Sequence, residues 1–387
     1  MSLRDLDSLY IAPTYKRFSV ALVRGEGSLV WDEDGKEYID LGTGIAVNTF
    51  GYSDAVWAEA VTSQLHTLQH TSNLYTSGPC ALLAERLCTL TGMKKVFFSN
   101  SGAEANECAI KVARKWAAEH NGPEYSTIVT LKNSFHGRTL TTLAATGQDH
   151  FHELFQPLTP GFVHVAAGDV GELEKAFAEN KVAGILIECV QGEGGVMPLD
   201  PDYALQVERI ARRENALLMV DEVQTGNGRT GELYAYMGYG LHPDVVSTAK
   251  GLAGGLPLGA TLLGERAEHV FGYGDHGSTF GGNPVCCAAA LSVLGRLDGP
   301  LLAGVRAKSD WIREALTGVP GVKGVSGLGL MLGIATEKPA GEIAARCLEK
   351  GVLVLTAKDK VRLLPALNIP DELLHRAVGI LKDVIAE

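Results

Sequence analysis

The chain has 387 residues, 46% hydrophobic and 20% charged, ordinary globular usage on a length too great for one small core. Its 45 acidic and 34 basic side chains leave a net charge of −11 with no Lys/Arg cluster, which argues against a nucleic-acid partner. The 7 cysteines are odd in number and lack CxxC spacing, against a disulfide framework or zinc site, and the 46 glycines have no fixed period, against a collagen-like or low-complexity chain.

The opening MSLRDLDSLY carries acidic residues and no apolar stretch, so it does not read as a signal peptide. No uninterrupted apolar run approaches the ~18 residues of a membrane span, and a cytoplasmic location is expected. Ser28 to Trp31 and Glu37 to Leu41 flank Asp34 and Gly35, the pattern of a hairpin. Short apolar or β-branched runs follow at Val96 to Phe98, Thr127 to Leu131, Gly184 to Val190, Ala216 to Val220, Val245 to Thr248 and Ala260 to Leu263. Helical patterns separate them; between Ala105 and Trp116 apolar residues fall at 105, 108, 109, 112 and 116. Such alternation predicts an α/β protein with a mostly parallel central sheet flanked by helices. Beyond about residue 290 the spacing predicts a helix over Val305 to Leu316, strands over Gly329 to Ala335 and Val352 to Thr356, and a final helix.

Three segments carry chemistry. In SNSGAEANE, residues 99 to 107, Ser101 and Glu104 have capping-box spacing, which a plain helix start explains. Gly102 and Ala103 add nearly bare backbone amides at that helix start, where a phosphate can be held. In NALLMVDEVQTG, residues 215 to 226, an apolar strand ends in Asp221 and Glu222. Ligands of open α/β sheets gather at such strand ends, although a loop turn or helix cap would also use these acids. In PDVVSTAKGLAGGLPLGA, residues 243 to 260, a strand runs into Lys250 and a glycine-rich turn. A lone lysine is ordinarily a solvated surface group; here the small neighbours leave room for a planar ligand over an amine of lowered pKa.

Taken in order, SNSGAEANE, SFHGR (134 to 138), ECVQGEGGV (188 to 196), DEVQTGNGRTG (221 to 231), AKGLAGGLPLGA (249 to 260), HGSTFGGNP (276 to 284) and VRLLPAL (361 to 367) resemble the class III aminotransferases, nearest to their acetylornithine branch. The resemblance runs from about residue 18 to the C-terminus. It implies the pyridoxal-phosphate-dependent transferase fold of type I. Residues 51–290 would form the large domain, and segments 1–50 and 291–387 a smaller α+β domain.

The resemblance also implies roles. Ser101, Gly102 and Ala103 would hold the phosphate of pyridoxal 5'-phosphate, and Phe135 would stack on its ring. Asp221 would pair with the pyridine nitrogen, which keeps the ring an electron acceptor. Gln224 would bond the ring hydroxyl. Lys250 would carry the cofactor as a Schiff base and shuttle the substrate proton. Ser278 and Thr279 match a segment that reaches the neighbouring subunit's site, which implies a homodimer. Arg138 would grip a substrate carboxylate and Arg362 the α-carboxylate of glutamate, with Glu193 pairing to Arg362 when glutamate is absent. Arginine suits both tasks because its planar fork binds carboxylate bidentately.

Two departures stand out. Cys189 replaces a proline frequent in the family. Gly44 stands where ornithine δ-aminotransferases place a tyrosine, which favours an acylated donor. The reaction the resemblance implies is transfer of the terminal amino group of N2-acetylornithine to 2-oxoglutarate, giving N-acetylglutamate 5-semialdehyde and glutamate. Alternatives are ornithine, succinylornithine, succinyldiaminopimelate, acetyl-lysine or 4-aminobutyrate as donor, and a glutamate-1-semialdehyde aminomutase. A nicotinamide fingerprint is disfavoured: GNGRTG (226 to 231) and GYGDHG (272 to 277) fit GxGxxG, but neither sits between a strand and an apolar helix.

Overall fold

The computed structural model describes residues 1–387. Seven strands form the central sheet, in the order Lys95–Ser99, Gly259–Leu263, Val245–Thr248, Leu217–Asp221, Val182–Ile187, Thr127–Leu131 and Phe162–Val165. Gly259–Leu263 runs antiparallel to both neighbours, and the remaining adjacent pairs are parallel. All six expected runs are strands of this sheet. The seventh, Phe162–Val165, was not anticipated from its four residues, FVHV.

The middle strands Val182–Ile187, Leu217–Asp221 and Val245–Thr248 are buried along their whole length. That is why their sequences are continuous apolar runs: helices cover both faces of the sheet. The helix Gly102–His120 lays Cys108, Ala109, Val112 and Trp116 against Leu186, Leu217 and Val245 on one face. On the other, Tyr203 and Val207 of the helix Pro201–Arg213 share a 36-residue core with Val220, Val246 and residues of the helix Pro284–Leu294.

A second core of 24 residues joins the two ends of the chain. The expected hairpin is present as Leu29–Asp32 paired with Glu37–Asp40. Its Ile39 and the neighbouring Leu41 are fully buried against Leu332, Val352, Leu363 and the C-terminal helix Asp371–Ala386. At roughly 1.5–3 kcal/mol for each such side chain, this burial is enough to hold a short hairpin that would be marginal alone. The strands Met331–Thr336 and Lys360–Leu363 pair antiparallel within this unit, so Arg362 enters the site from the C-terminal part of the chain. No single helix is long and apolar enough to cross a membrane.

Parallel strands end on one edge of the sheet, and the expected site segments follow those ends. Ser101 follows Lys95–Ser99, Phe135 follows Thr127–Leu131, Glu188 and Glu193 follow Val182–Ile187, and Lys250 follows Val245–Thr248. Asp221 closes its own strand.

Candidate active site

A cavity of about 460 Å³ opens at that edge. Its walls include Ser101, Gly102, Ala103, Phe135, Arg138, Asp221, Gln224 and Lys250, eight of the twelve positions singled out from sequence. Glu193 and Arg362 adjoin it through Gln224, whose Nε2 donates to Glu193 Oε1 at 3.4 Å and whose Oε1 accepts from Arg362 Nη1 at 3.2 Å. Ser278 and Thr279 lie outside it, on a separate surface cavity beside His70 and Asn73. Ser278 still touches the phosphate-loop neighbourhood, accepting from Asn100 Nδ2 at 3.3 Å.

Ser101 caps the helix Gly102–His120, its Oγ accepting from Glu104 N at 3.2 Å. The capping box is only half formed, because Glu104 Oε2 accepts from Asn100 N, one residue earlier, at 2.6 Å. With the Glu104 amide taken by Ser101, the Gly102 and Ala103 amides at the start of this 19-residue helix are left without a partner on the cavity wall, an anion site by geometry and dipole. Only glycine fits at 102: a Cβ there would lie 2.6 Å from Val223 Cγ1.

Asp221 is buried and fully engaged. Its Oδ2 accepts from Asn106 Nδ2 at 2.7 Å and from His136 Nδ1 at 2.8 Å, and its Oδ1 from Val223 N at 3.0 Å. Asn106 is fixed in turn by Ser247 Oγ at 2.5 Å and by the His136 carbonyl at 2.8 Å. His136, Asn106 and Val223 lay inside segments read from sequence without being given roles. Glu188 was missed as well. It is buried on the cavity wall and accepts from Phe135 N at 3.0 Å, and burial first, then the Asp221 charge, hold its carboxyl well above the usual range.

Lys250 sits in the left-handed region at φ 45, a conformation costing a non-glycine residue roughly 1–2 kcal/mol, so the Ala249–Gly251 turn aims it deliberately. One side of it faces the cavity, while the dense protein around it lowers its pKa by burial; Glu193 pulls upward and Arg362 reinforces the fall. Arg138 is exposed at the mouth, its guanidinium 5.6 Å from the Phe135 ring centre and 4.5 Å from that of Phe151.

Arg362 is buried and pairs with Glu193, Nη1 to Oε1 at 2.5 Å. Burial acts to raise the Glu193 pKa, but the Arg362 charge and hydrogen bond outweigh it and leave the carboxyl below its ordinary value. The turn after Glu188 is held without the family's proline: the Cys189 carbonyl accepts from Tyr239 Oη at 3.1 Å and Leu199 N at 2.9 Å. Gly44, at φ 64, borders a separate apolar cavity of about 230 Å³ near Tyr52 and Leu355, while Val47 lines the Lys250 cavity. GNGRTG forms a run of turns rather than opening a helix, so it is no dinucleotide fingerprint.

Residues 10–385 match the class-III aminotransferase family, and the chain belongs to it. Its fold is that of the pyridoxal-phosphate-dependent aminotransferases. Among its relatives, the acetylornithine aminotransferase of Haemophilus ducreyi is 50% identical over 387 residues, covering 100% of this chain and 98% of that one. That of Methanocaldococcus jannaschii is 42% identical, covering 99% and 98%. Among solved structures, the N-acetylornithine aminotransferase of Stenotrophomonas maltophilia superposes with a TM-score of 0.85 at 36% identity, covering 99% and 98%. The Toxoplasma gondii ornithine aminotransferase, with pyridoxal phosphate partly occupying its active site, superposes at 0.94 and 31% identity, covering 99% and 93%.

Proposed function

We propose that this chain is a pyridoxal-phosphate-dependent transaminase of arginine biosynthesis. It moves the terminal amino group of N2-acetylornithine to 2-oxoglutarate, giving N-acetylglutamate 5-semialdehyde and glutamate. The observation that carries this reading is the Glu193–Arg362 pair beside Lys250 and Asp221, a charge arrangement that can open for one substrate and close for the other.

The residues present fit the cofactor. Unpaired amides at Ser101–Ala103 suit its phosphate, the Asp221 carboxylate lines the same cavity for the ring nitrogen, and Lys250 supplies the amine that would hold its aldehyde carbon. Phe135 and Val223 offer apolar walls for the ring, and Gln224 a donor for the ring hydroxyl. When bound, the cofactor supplies an electrophilic carbon for the amine and an electron sink for the carbanion.

The rest belongs to the protein. Asn106 and His136 hold Asp221 in one orientation, so its charge is preorganised. Lys250, with its pKa lowered, would take the proton from the substrate carbon that bears the amine and hand it on to the cofactor's aldehyde carbon, so that the nitrogen can stay behind. Arg138 binds the substrate carboxylate at the mouth. Arg362 binds the α-carboxylate of glutamate after Glu193 moves away, and Glu193 neutralises Arg362 while the acylated donor is bound.

The enzyme works as a homodimer in the cytoplasm. Supporting the dimer, Ser278 and Thr279 lie on an outer surface together with exposed Leu74, Tyr75 and Phe280, an apolar patch of the kind interfaces cover. Ornithine is the second reading, favoured by the close superposition on the Toxoplasma gondii enzyme. The acetylornithine aminotransferases of Haemophilus ducreyi and Methanocaldococcus jannaschii, at 50% and 42% identity, weigh against it. Steady-state kcat/KM for a panel of ω-amines with 2-oxoglutarate tests the choice: N2-acetylornithine is expected to lead, and a higher value for ornithine or 4-aminobutyrate would replace the assignment.

A further inference from the structure

The GNGRTG turn contains a buried cation that the reading above does not use. Arg229 is 3% exposed and makes no ion pair. Burial lowers its pKa to about 9, so it remains charged at neutral pH. A buried unpaired charge is costly unless dipoles satisfy it, so this one calls for a compensating reason.

Its partners lie at the end of the strand pair that carries Arg362. Leu332 pairs with Leu363 and Gly333 with Arg362, so continuing the antiparallel register sets Leu330 opposite Pro365. Proline has no N–H, and the ladder cannot close there. Arg229 closes it instead. Its Nη1 donates to the Leu330 carbonyl at 3.1 Å and to the Pro365 carbonyl at 2.5 Å, while Leu330 N donates to the Arg229 carbonyl at 2.9 Å. The contact is tight enough to require Gly329, where a Cβ would lie 2.4 Å from the Thr230 carbonyl carbon. Five residues before Arg229 on the same turn is Gln224, which itself touches Arg362. One turn thus grips the Arg362 strand at two points, by Gln224 at the guanidinium and by Arg229 at the strand end.

We propose that Arg229 is a positioning residue that sets where the Arg362 guanidinium stands, and thereby governs use of the dicarboxylate substrate. The inference rests on the reading of Arg362 as the glutamate-binding arginine. The strand keeps other ties, Leu364 N to the Leu41 carbonyl at 2.7 Å and Leu367 N to the Thr49 carbonyl at 2.9 Å, so losing Arg229 shifts the strand end without releasing it.

The test follows both half-reactions in purified holoenzyme of Arg229→Met, Arg229→Lys and, in parallel, Arg362→Ala. A displacement of about 1 Å should lower kcat/KM for 2-oxoglutarate in Arg229→Met by roughly 10- to 100-fold, mainly through KM. The N2-acetylornithine half-reaction should stay within about threefold. Arg229→Lys, which keeps a cation able to donate to carbonyl oxygens, should recover part of the loss. Equal damage to both half-reactions, or no recovery with lysine, would mark Arg229 as merely structural and overturn the proposal. If Arg229→Met does not fold, Arg229→Gln takes its place: a raised KM for 2-oxoglutarate beside an unchanged amine half-reaction supports the proposal, and unchanged KM values overturn it. If Arg362→Ala itself shows no preference between half-reactions, the reading of Arg362 fails, whatever the Arg229 variants do.

Discussion

Arg362 and Glu193 meet through a single contact, Nη1 to Oε1 at 2.5 Å, and the Arg362 Nε is buried with no partner at all. A guanidinium fork engaged only through Nη1, by Glu193 and Gln224, keeps donors in reserve for a substrate carboxylate. Removing the competitor should therefore favour the dicarboxylate. Glu193→Ala is expected to keep the glutamate half-reaction and to lose preference for the acylated ω-amine, by roughly 3- to 30-fold in the ratio of the two kcat/KM values. An unchanged ratio would mean that Glu193 does not compete for Arg362.

Lys250→Ala is expected to abolish turnover and the absorbance of lysine-bound cofactor, because no other amine lines the cavity. Borohydride reduction followed by peptide mapping checks this. A reduced adduct that persists in the variant would place the attachment elsewhere.

Asp221→Ala should retain some cofactor and lose most of kcat, since a fixed charge that stabilises the developing carbanion is worth several kcal/mol. It also strands three donors, from Asn106, His136 and Val223, and should lower stability by about 1–3 kcal/mol. Near-normal single-turnover rates in this variant would remove Asp221 from its role.

Glu222, beside Asp221, makes a stability prediction. It is fully buried, and burial first, then the Asp221 charge, push its pKa to about 7 against hydrogen bonds from Thr225 and the Tyr236 and Ala235 amides. The folded protein keeps this proton where the unfolded chain, at its ordinary 4.5, has lost it. The contribution is thus fully present below pH 4.5 and lost as pH rises through about 7. Glu222→Gln should flatten that part of the profile, by up to about 3 kcal/mol, read from denaturant midpoints of the holoenzyme at several pH values. Identical slopes in both proteins would show that Glu222 ionises normally.

Much of this site was legible because its chemistry sits at strand ends, where a buried apolar run stops abruptly at a charged residue. Asp221 and Lys250 both carry that signature, and the helix stripe from Ala105 to Trp116 fixed the neighbouring turn. Other features depend on pairings that sequence does not display. The reversed direction of Gly259–Leu263 leaves no mark on its composition. The contacts of Asp221 with His136 and Asn106 span 85 and 115 positions, and those of Arg229 with Leu330 and Pro365 span 101 and 136. The polar His164 interrupts Phe162–Val165, so no continuous apolar run marks it as a strand, and the position of Ser278 and Thr279 outside this chain's own cavity depends on how the chain folds around them rather than on their composition.

The two-substrate account is tested most directly by following each half-reaction separately in Arg362→Ala by stopped-flow absorbance. Losing a charge-assisted carboxylate contact costs roughly 2–4 kcal/mol, on the order of 30- to 1,000-fold in kcat/KM. That loss should fall on the step that uses glutamate, while the N2-acetylornithine step stays comparatively intact. Arg138→Ala, by contrast, should impair both, since each substrate presents a carboxylate to it. Equal loss of both half-reactions in Arg362→Ala would contradict the switch, and no glutamate half-reaction in the unmutated protein would point instead to a mutase.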